Sequence, residues 1–240
     1  IDGDPVLQRV LEGMDDPASR SMTLTLPYGT FSLPDTDASA FTAAEPVGFW
    51  DLDLKPYLDR PKARSHCVDV GAHVGLYSGY WGATGMRVTA IEGHPRYLPH
   101  LCRNIDANRW QEVITVLPWF AYSRRGCLTE RLEYEIFASN TWLPSADPSE
   151  GVIAVTLDEC LRLLQSRVDF LKIDAQGADL HVLLGTEGII RRDRPPILIE
   201  YEADLTKLHG HTADDYHQWA ADHRYREHAI NGWNCYWEPI

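Results

Sequence analysis

The chain has 240 residues, 44 % of them hydrophobic, and a formal net charge of −13. That length and apolar content suit one large α/β domain and exclude global disorder, while the acidic balance excludes a phosphate-backbone partner, so no nucleic acid is expected. Five cysteines with no C-x-x-C spacing argue against a disulfide scaffold or zinc ribbon and fit the reducing cytoplasm, and no apolar run approaches the ~20 residues of a membrane span.

No signal-peptide pattern is visible, and the start at Ile1 fits a piece of a longer protein. Residues 1–60 depart from the strand–helix rhythm of 61–240 and read as an N-terminal cap that shapes an acceptor pocket. Within it, 6–14 is expected as a short helix. Residues 22–26 and 30–33 alternate apolar and polar around Pro27, Tyr28 and Gly29, a hairpin pattern, and 45–58 is expected to hold a helix.

From Ser65 onward the rhythm is regular. Strands are expected at 66–70, 87–91, 113–117, 170–173 and 196–200, with a last strand at 233–237. Helices are expected at 74–82 and 97–108, from Thr156, around 180–184, and over 205–227. Thr156 with Glu159 three residues on is a capping box. Residues 123–151 form a long excursion, expected as a hairpin followed by a loop. Strands alternating with helices give a mostly parallel sheet with helices on both faces. Its carboxyl edge then gathers Asp69, Glu92, the segment after Leu117, Asp174 and Glu200, where ligands of such sheets bind.

The glycine turn Gly71, Ala72, His73, Val74, Gly75 follows the first of these strands, and Glu92 closes the second, 23 residues after Asp69. Such a layout holds an adenosine-bearing cofactor: backbone amides at the helix N-terminus meet a negative group and the carboxylate takes a ribose diol. A dinucleotide requires glycine where His73 stands, and Asp69 would repel a pyrophosphate. S-adenosylmethionine has no phosphate and carries cationic groups, so acidic neighbours attract it. The expected cofactor contacts are Asp69, Gly71, Ala72, His73, Gly75, Glu92, Gly93, Ala121 and Asp174. Adenine is expected beside 118–122, where Trp119, Phe120 and Tyr122 offer rings, and 139–142 is placed as a lid.

Residues 68–78 (VDVGAHVGLYS), 91–95 (IEGHP), 104–108 (NIDAN), 169–179 (DFLKIDAQGAD) and 194–200 (RPPILIE) resemble, in this order, the FkbM-type family of S-adenosylmethionine-dependent methyltransferases. The resemblance covers about residues 60–202. It implies a Rossmann-like class I fold, a seven-stranded sheet whose last strand is antiparallel, and mostly O-methylation of secondary metabolites, sugars or glycolipids. Gln176 stands where the family's Asp-x-Glu-Gly carries its acid, and Gly93 replaces the proline of the family's Phe-Glu-Pro.

Methyl transfer to a hydroxyl requires alignment, water exclusion and a proton acceptor. The candidate bases are Asp174, Glu200 and His73, with His94 as a further neighbour. His209 and His211 read as surface histidines, since no ligand has matching spacing, and no metal is expected; metal-assisted deprotonation through Asp174 and Glu200 stays open. The acceptor is expected to be a small or carrier-bound molecule. A non-catalytic cofactor-binding module, an N-methyltransferase and a nicotinamide oxidoreductase are the competing readings.

Overall fold

The computed structural model describes residues 21–35, 41, 44–131, 141–145, 151–162 and 166–240. The helix expected at 6–14 and residues 139 and 140 of the expected lid lie outside them. β1 (Ser21–Leu26) and β2 (Gly29–Pro34) pair antiparallel with Leu24 opposite Phe31. Alternation decides which face is buried: Leu24, Phe31 and Leu33 are fully enclosed, while Thr23 and Thr25 stay outside. The helix expected over 45–58 is reduced to one turn, α1 (Lys55–Leu58), because Gly48 (φ 72°) and Asp51 (φ 57°) take left-handed backbone that a helix cannot absorb.

The remaining elements follow in chain order: β3 (His66–Val70), α2 (Leu76–Ala83), β4 (Arg87–Ile91), α3 (Leu98–Ala107), β5 (Ile114–Leu117), β6 (Phe120–Ala121), β7 (Gly126–Arg131), β8 (Thr141–Pro144), β9 (Val152–Val155), α4 (Leu157–Arg162), β10 (Phe170–Ile173), α5 (Asp179–Leu184), α6 (Glu187–Asp193), β11 (Ile197–Glu200), α7 (Ala203–Leu208), α8 (Ala213–Asp222), β12 (Tyr225–Ala229) and β13 (Asn234–Pro239). Seven strands form one sheet in the order β12-β13-β11-β10-β3-β4-β5, and only β13 runs against its neighbours. This is the class I architecture that the motifs implied. The capping box at Thr156 and Glu159 is formed.

One expected element differs. The helix read over 205–227 is α7, α8 and the edge strand β12. Gly210 (φ 80°) ends the first segment, and a second capping box between Thr212 and Asp215 restarts the chain. Within the excursion 123–151, β7 and β8 pair antiparallel as the expected hairpin requires, and β9 and β6, which flank the excursion, join them in a separate four-stranded sheet.

Strand alternation splits the core into two layers. Cys67, Trp81, Leu101 and Phe170 pack on the hairpin side; Val68, Leu171, Leu183 and Trp219 pack on the other. Hydrogen bonds to the backbone also fix the hairpin. The Asn108 side chain donates to Thr30 O (2.7 Å) and accepts from Thr30 N (2.9 Å). Asn104 repeats this at Ser32 (3.1 and 2.6 Å) and also donates to Val74 O (2.8 Å) in the glycine turn. Two amides four residues apart thus substitute for a neighbouring strand along β2.

A histidine cluster anchors the small sheet. The Tyr122 ring stacks on His181 at 4.2 Å, and His209 shares a 2.8 Å hydrogen bond with Thr141 at the start of β8. Burial, then the neighbouring His211, lowers His181 from 6.5 to about 4; burial, then His181, does the same to His209. The unfolded chain therefore takes up protons that the fold refuses, and stability is lost as pH falls from 6.5 towards about 4. A His181→Gln, His209→Gln variant is expected to lose less stability than the parent chain between about pH 7 and 5, read from urea midpoints. Asp179 and Glu200, whose carboxyls burial raises, act in the opposite sense in both chains and cancel in the comparison. Equal acid losses would acquit the histidines.

Candidate active site

The carboxyl ends of β3, β4, β10 and β11 open into a cavity of about 490 Å³, within the usual range for small-molecule sites. Its floor is the glycine turn. Gly71 has φ 73°, and a β-carbon there would collide with the carbonyl oxygen of Asp174, so the ends of β3 and β10 close on each other only through glycine. The turn continues with His73 at φ 54° and Gly75 at φ 90°, the left-handed residue that starts α2.

Glu92 forms one wall. It is 6 % exposed, and its carboxylate accepts from His73 N and His94 N, both at 2.7 Å. Each oxygen thus takes one backbone amide, and a carboxylate has about four acceptor sites, so two remain for a ligand. The amides of Gly71 and Ala72 donate to Ile91 O, and that of Gly75 to Ala72 O. These amides are therefore engaged inside the protein, by Ile91 O at the end of β4, by Glu92 just after it and by Ala72 O within the turn.

An ionic cluster forms the opposite wall. Lys172 is 3 % exposed, and its Nζ lies 3.3 Å from both Asp69 and Asp174. It also stands 5.0 Å from the centroid of the Tyr77 ring. Burial alone would lower the Lys172 ammonium, but Asp174 and Asp69 hold it above the usual lysine range. Gln176 Nε2 donates to Asp174 Oδ1 (2.9 Å) and Glu200 Oε2 (3.2 Å). Burial would raise the Asp174 carboxyl, but the Lys172 charge and hydrogen bonds from Glu200 and Gln176 hold it below the usual range. Burial, then the Asp174 charge, raises Glu200 well above an ordinary glutamate. Two adjacent carboxyls that cannot both ionise share one proton. Asp179 fixes the loop beneath them by accepting from Ala175 N (2.7 Å) and Gly177 N (3.0 Å); burial raises it to about 7.

Rings line the rest. Phe120 meets Trp142 at 4.8 Å, and Tyr97 lies 3.8 Å from His73 and 4.6 Å from His94. Gly93 is required beside them, since a side chain there would strike the Phe120 ring.

Of the expected site residues, Gly71, Ala72, His73 and Glu92 line this cavity, as do Gly93, Ala121, Asp174 and Glu200. Asp69 does not. It is fully buried beneath the floor, where Ser78 Oγ donates to it at 2.6 Å and Lys172 neutralises it, so the contact expected of it with the ligand is replaced by an internal ion pair. Gly75 stands behind the turn against Leu101, outside the cavity lining. Lys172, Asp51, Glu202 and Trp233 line the site without having been expected there. The signal for Lys172 was available: a lone cation in an apolar strand, in register with Asp69. Among the described residues no group of three or more side chains is arranged to hold a metal ion, and no helix is long and apolar enough to cross a membrane.

The methyltransferase FkbM domain family matches residues 69–227. Among solved structures, the chain is similar to a methyltransferase FkbM from Methylobacillus flagellatus KT, at 21 % identity and TM-score 0.52, over 74 % of this chain and 44 % of that one. The chain thus spans less than half the length of that protein. It is also similar to an O-methyltransferase described as unproven from Klebsiella pneumoniae (14 % identity, 100 % and 92 % coverage, TM-score 0.43). A third is a precorrin-6y C5,15-methyltransferase from Geobacter metallireducens GS-15 (14 %, 78 % and 87 %, TM-score 0.47). No curated protein matches the sequence.

The close approach at the floor makes Gly71 testable against Gly85, which also has positive φ (84°) but open space around it. Gly71→Ala is expected to cost about 1–3 kcal/mol more than Gly85→Ala in urea unfolding, the excess being the clash rather than the φ penalty. Equal costs would show that the floor yields.

Proposed function

The chain belongs to the FkbM methyltransferase family, and from that premise we propose that it transfers a methyl group from S-adenosylmethionine to a hydroxyl oxygen of a small, sugar-like or natural-product acceptor, free or carrier-bound. The observation that carries this reading is the Asp174–Glu200 pair, bridged by the Gln176 amide, in the same cavity as Glu92. Fold and family imply S-adenosylmethionine as the cofactor, and the residues present fit it. Glu92 keeps acceptor sites for a ribose diol. Phe120, Trp142 and His94 bound a slot for a flat base, and the carboxyls of the opposite wall suit a sulfonium and an ammonium group. Bound there, S-adenosylmethionine supplies the electrophilic methyl group.

The chain's own residues do the rest. Ring walls exclude water and hold the acceptor in line. The Asp174–Glu200 pair, once it has lost its shared proton, takes the proton of the acceptor hydroxyl as the oxygen forms its new bond to carbon. Gln176 keeps the two carboxyls together, and Lys172 prevents Asp174 from being the member that stays protonated. An amine acceptor is the second reading: the same carboxyls suit an ammonium group, and an ammonium gives up its proton more readily than a hydroxyl does. A non-catalytic module would bind the cofactor without turnover, so release of S-adenosylhomocysteine separates it from an enzyme. Five free cysteines and the acidic surface support a cytoplasmic setting and a partner other than nucleic acid.

Glu92→Ala is expected to weaken S-adenosylhomocysteine binding by about 10- to 100-fold in calorimetry, the worth of one or two charge-assisted hydrogen bonds. Unchanged affinity would remove Glu92 from the site. Asp174→Asn is expected to cut turnover roughly 10²- to 10⁴-fold with little change in cofactor affinity. The acid limb of the pH–rate profile reports the second ionisation of the pair, so Gln176→Glu, which adds a negative charge, is expected to move that limb to higher pH. A limb that stays in place would exclude the pair as the titrating base.

A further inference from the structure

Methyl transfer does not require the indole at the cavity mouth. Trp233 is 59 % exposed, yet its backbone is held rigidly. It sits in the turn between β12 and β13, where Asn231 Oδ1 accepts from Trp233 N (3.0 Å) and Asn234 N (2.8 Å). Its carbonyl accepts from Tyr201 N at 2.6 Å, which ties the turn to the residue after Glu200. A large apolar side chain held out in water by a fixed turn gives the fold little, and exposed apolar surface of this kind marks contact with a ligand. Trp233 lines the same cavity as the carboxyl pair.

The N-terminal segment contributes a second indole. Trp50 lines the cavity and packs on Phe41 at 4.5 Å between ring centroids. Each indole has a carboxyl in its company. Asp51 follows Trp50, Glu202 follows Tyr201, and both line the cavity. Among the described residues, the only lysine or arginine in the lining is Lys172, which Asp69 and Asp174 already engage. Trp50, Asp51 and Trp233 lie outside the span 69–227 matched by the family, so this rim is where the chain's own acceptor choice can reside.

We propose that Trp50 and Trp233, with Asp51 and Glu202, form an acceptor-binding rim that takes an uncharged or cationic ring with an apolar face and rejects phosphorylated or carboxylated acceptors. The indoles give flat contact area at small entropic cost and attract cations. The carboxyls accept hydrogen bonds from hydroxyl or ammonium groups and repel anions. The inference rests on the methyltransferase reading of the site and names the acceptor class for it.

The test uses the full chain saturated with S-adenosylhomocysteine and three probes of one shape: cyclohexanol, cyclohexylamine (a cation at neutral pH) and cyclohexanecarboxylate. Saturation-transfer NMR is expected to show the first two binding and the carboxylate not. Trp233→Ala is expected to lower the signals at least about fivefold, whereas Trp233→Phe keeps most of them, because an aromatic ring is what the rim requires. An Asp51→Asn, Glu202→Gln variant is expected to admit cyclohexanecarboxylate. Equal binding of all three probes by the parent chain, silence from all three, or a Trp233→Ala signal like the parent's would overturn the rim. Calorimetry of S-adenosylhomocysteine with the same samples keeps the two readings apart. Failure to bind it would bring down the methyltransferase reading and the rim with it, whereas normal binding with the wrong probe pattern removes only the rim.

Discussion

Lys172 is the charge on which the site depends. It interrupts an apolar parallel strand, and the pairing of β10 with β3 puts it beside Asp69. Burying such a cation costs several kcal/mol unless partners surround it. Here Asp69 stands on one side and Asp174 on the other, each at 3.3 Å. The arrangement is mutual: without the ammonium, Asp69 would be an uncompensated charge with no access to water, and Asp174 would lose the field that keeps it ionised. The Lys172 charge lowers the Asp174 carboxyl, while burial and the Asp174 charge raise Glu200. One cation in the cavity wall thus pushes the two neighbouring carboxyls apart.

The glycine turn is the second shared component. Ile91 O and Glu92 bind it from β4, and Asn104 reaches its Val74 carbonyl from α3 while also gripping Ser32 on the hairpin. A change in the hairpin is therefore felt at the cofactor wall through one side-chain amide. Phe31 and Trp110, 5.8 Å apart, continue the same connection in apolar contact. Trp50 and Trp233, by contrast, stand outside residues 69–227, so they can vary without disturbing the strands beneath Glu92 and Asp174.

The strand–turn–helix run from Cys67 and the carboxylates at Glu92, Asp174 and Glu200 were legible because a parallel α/β sheet brings its strand ends to one edge. What spacing leaves open is which acceptor each turn amide meets. Within the turn, Ile91 O takes the amides of Gly71 and Ala72, and the Glu92 carboxylate takes that of His73. Asp69 looked like a ligand contact because it precedes the turn, and only the register with Lys172 reveals its internal role. β12 was lost in a helix because its polar residues (Arg226 exposed, Glu227 and His228 half-buried) follow α8 without an apolar run, as an edge strand permits. The indole of Trp233 carried no periodic signal at all; its place follows from a turn built on Asn231.

Gln176 explains why the carboxyl pair holds a proton. A third carboxylate at this position would crowd three negative charges around one buried ammonium, and a second cation would be the natural remedy. An amide of nearly the same shape removes that need. It donates to both acids at once without neutralising either, so the remaining repulsion between Asp174 and Glu200 is relieved by a shared proton. The backbone makes this geometry accessible: Gln176 is left-handed (φ 51°), and Asp179 secures the amides on either side of it. A neutral donor thus holds the two acids side by side at the open mouth of the cavity, with water within reach of both.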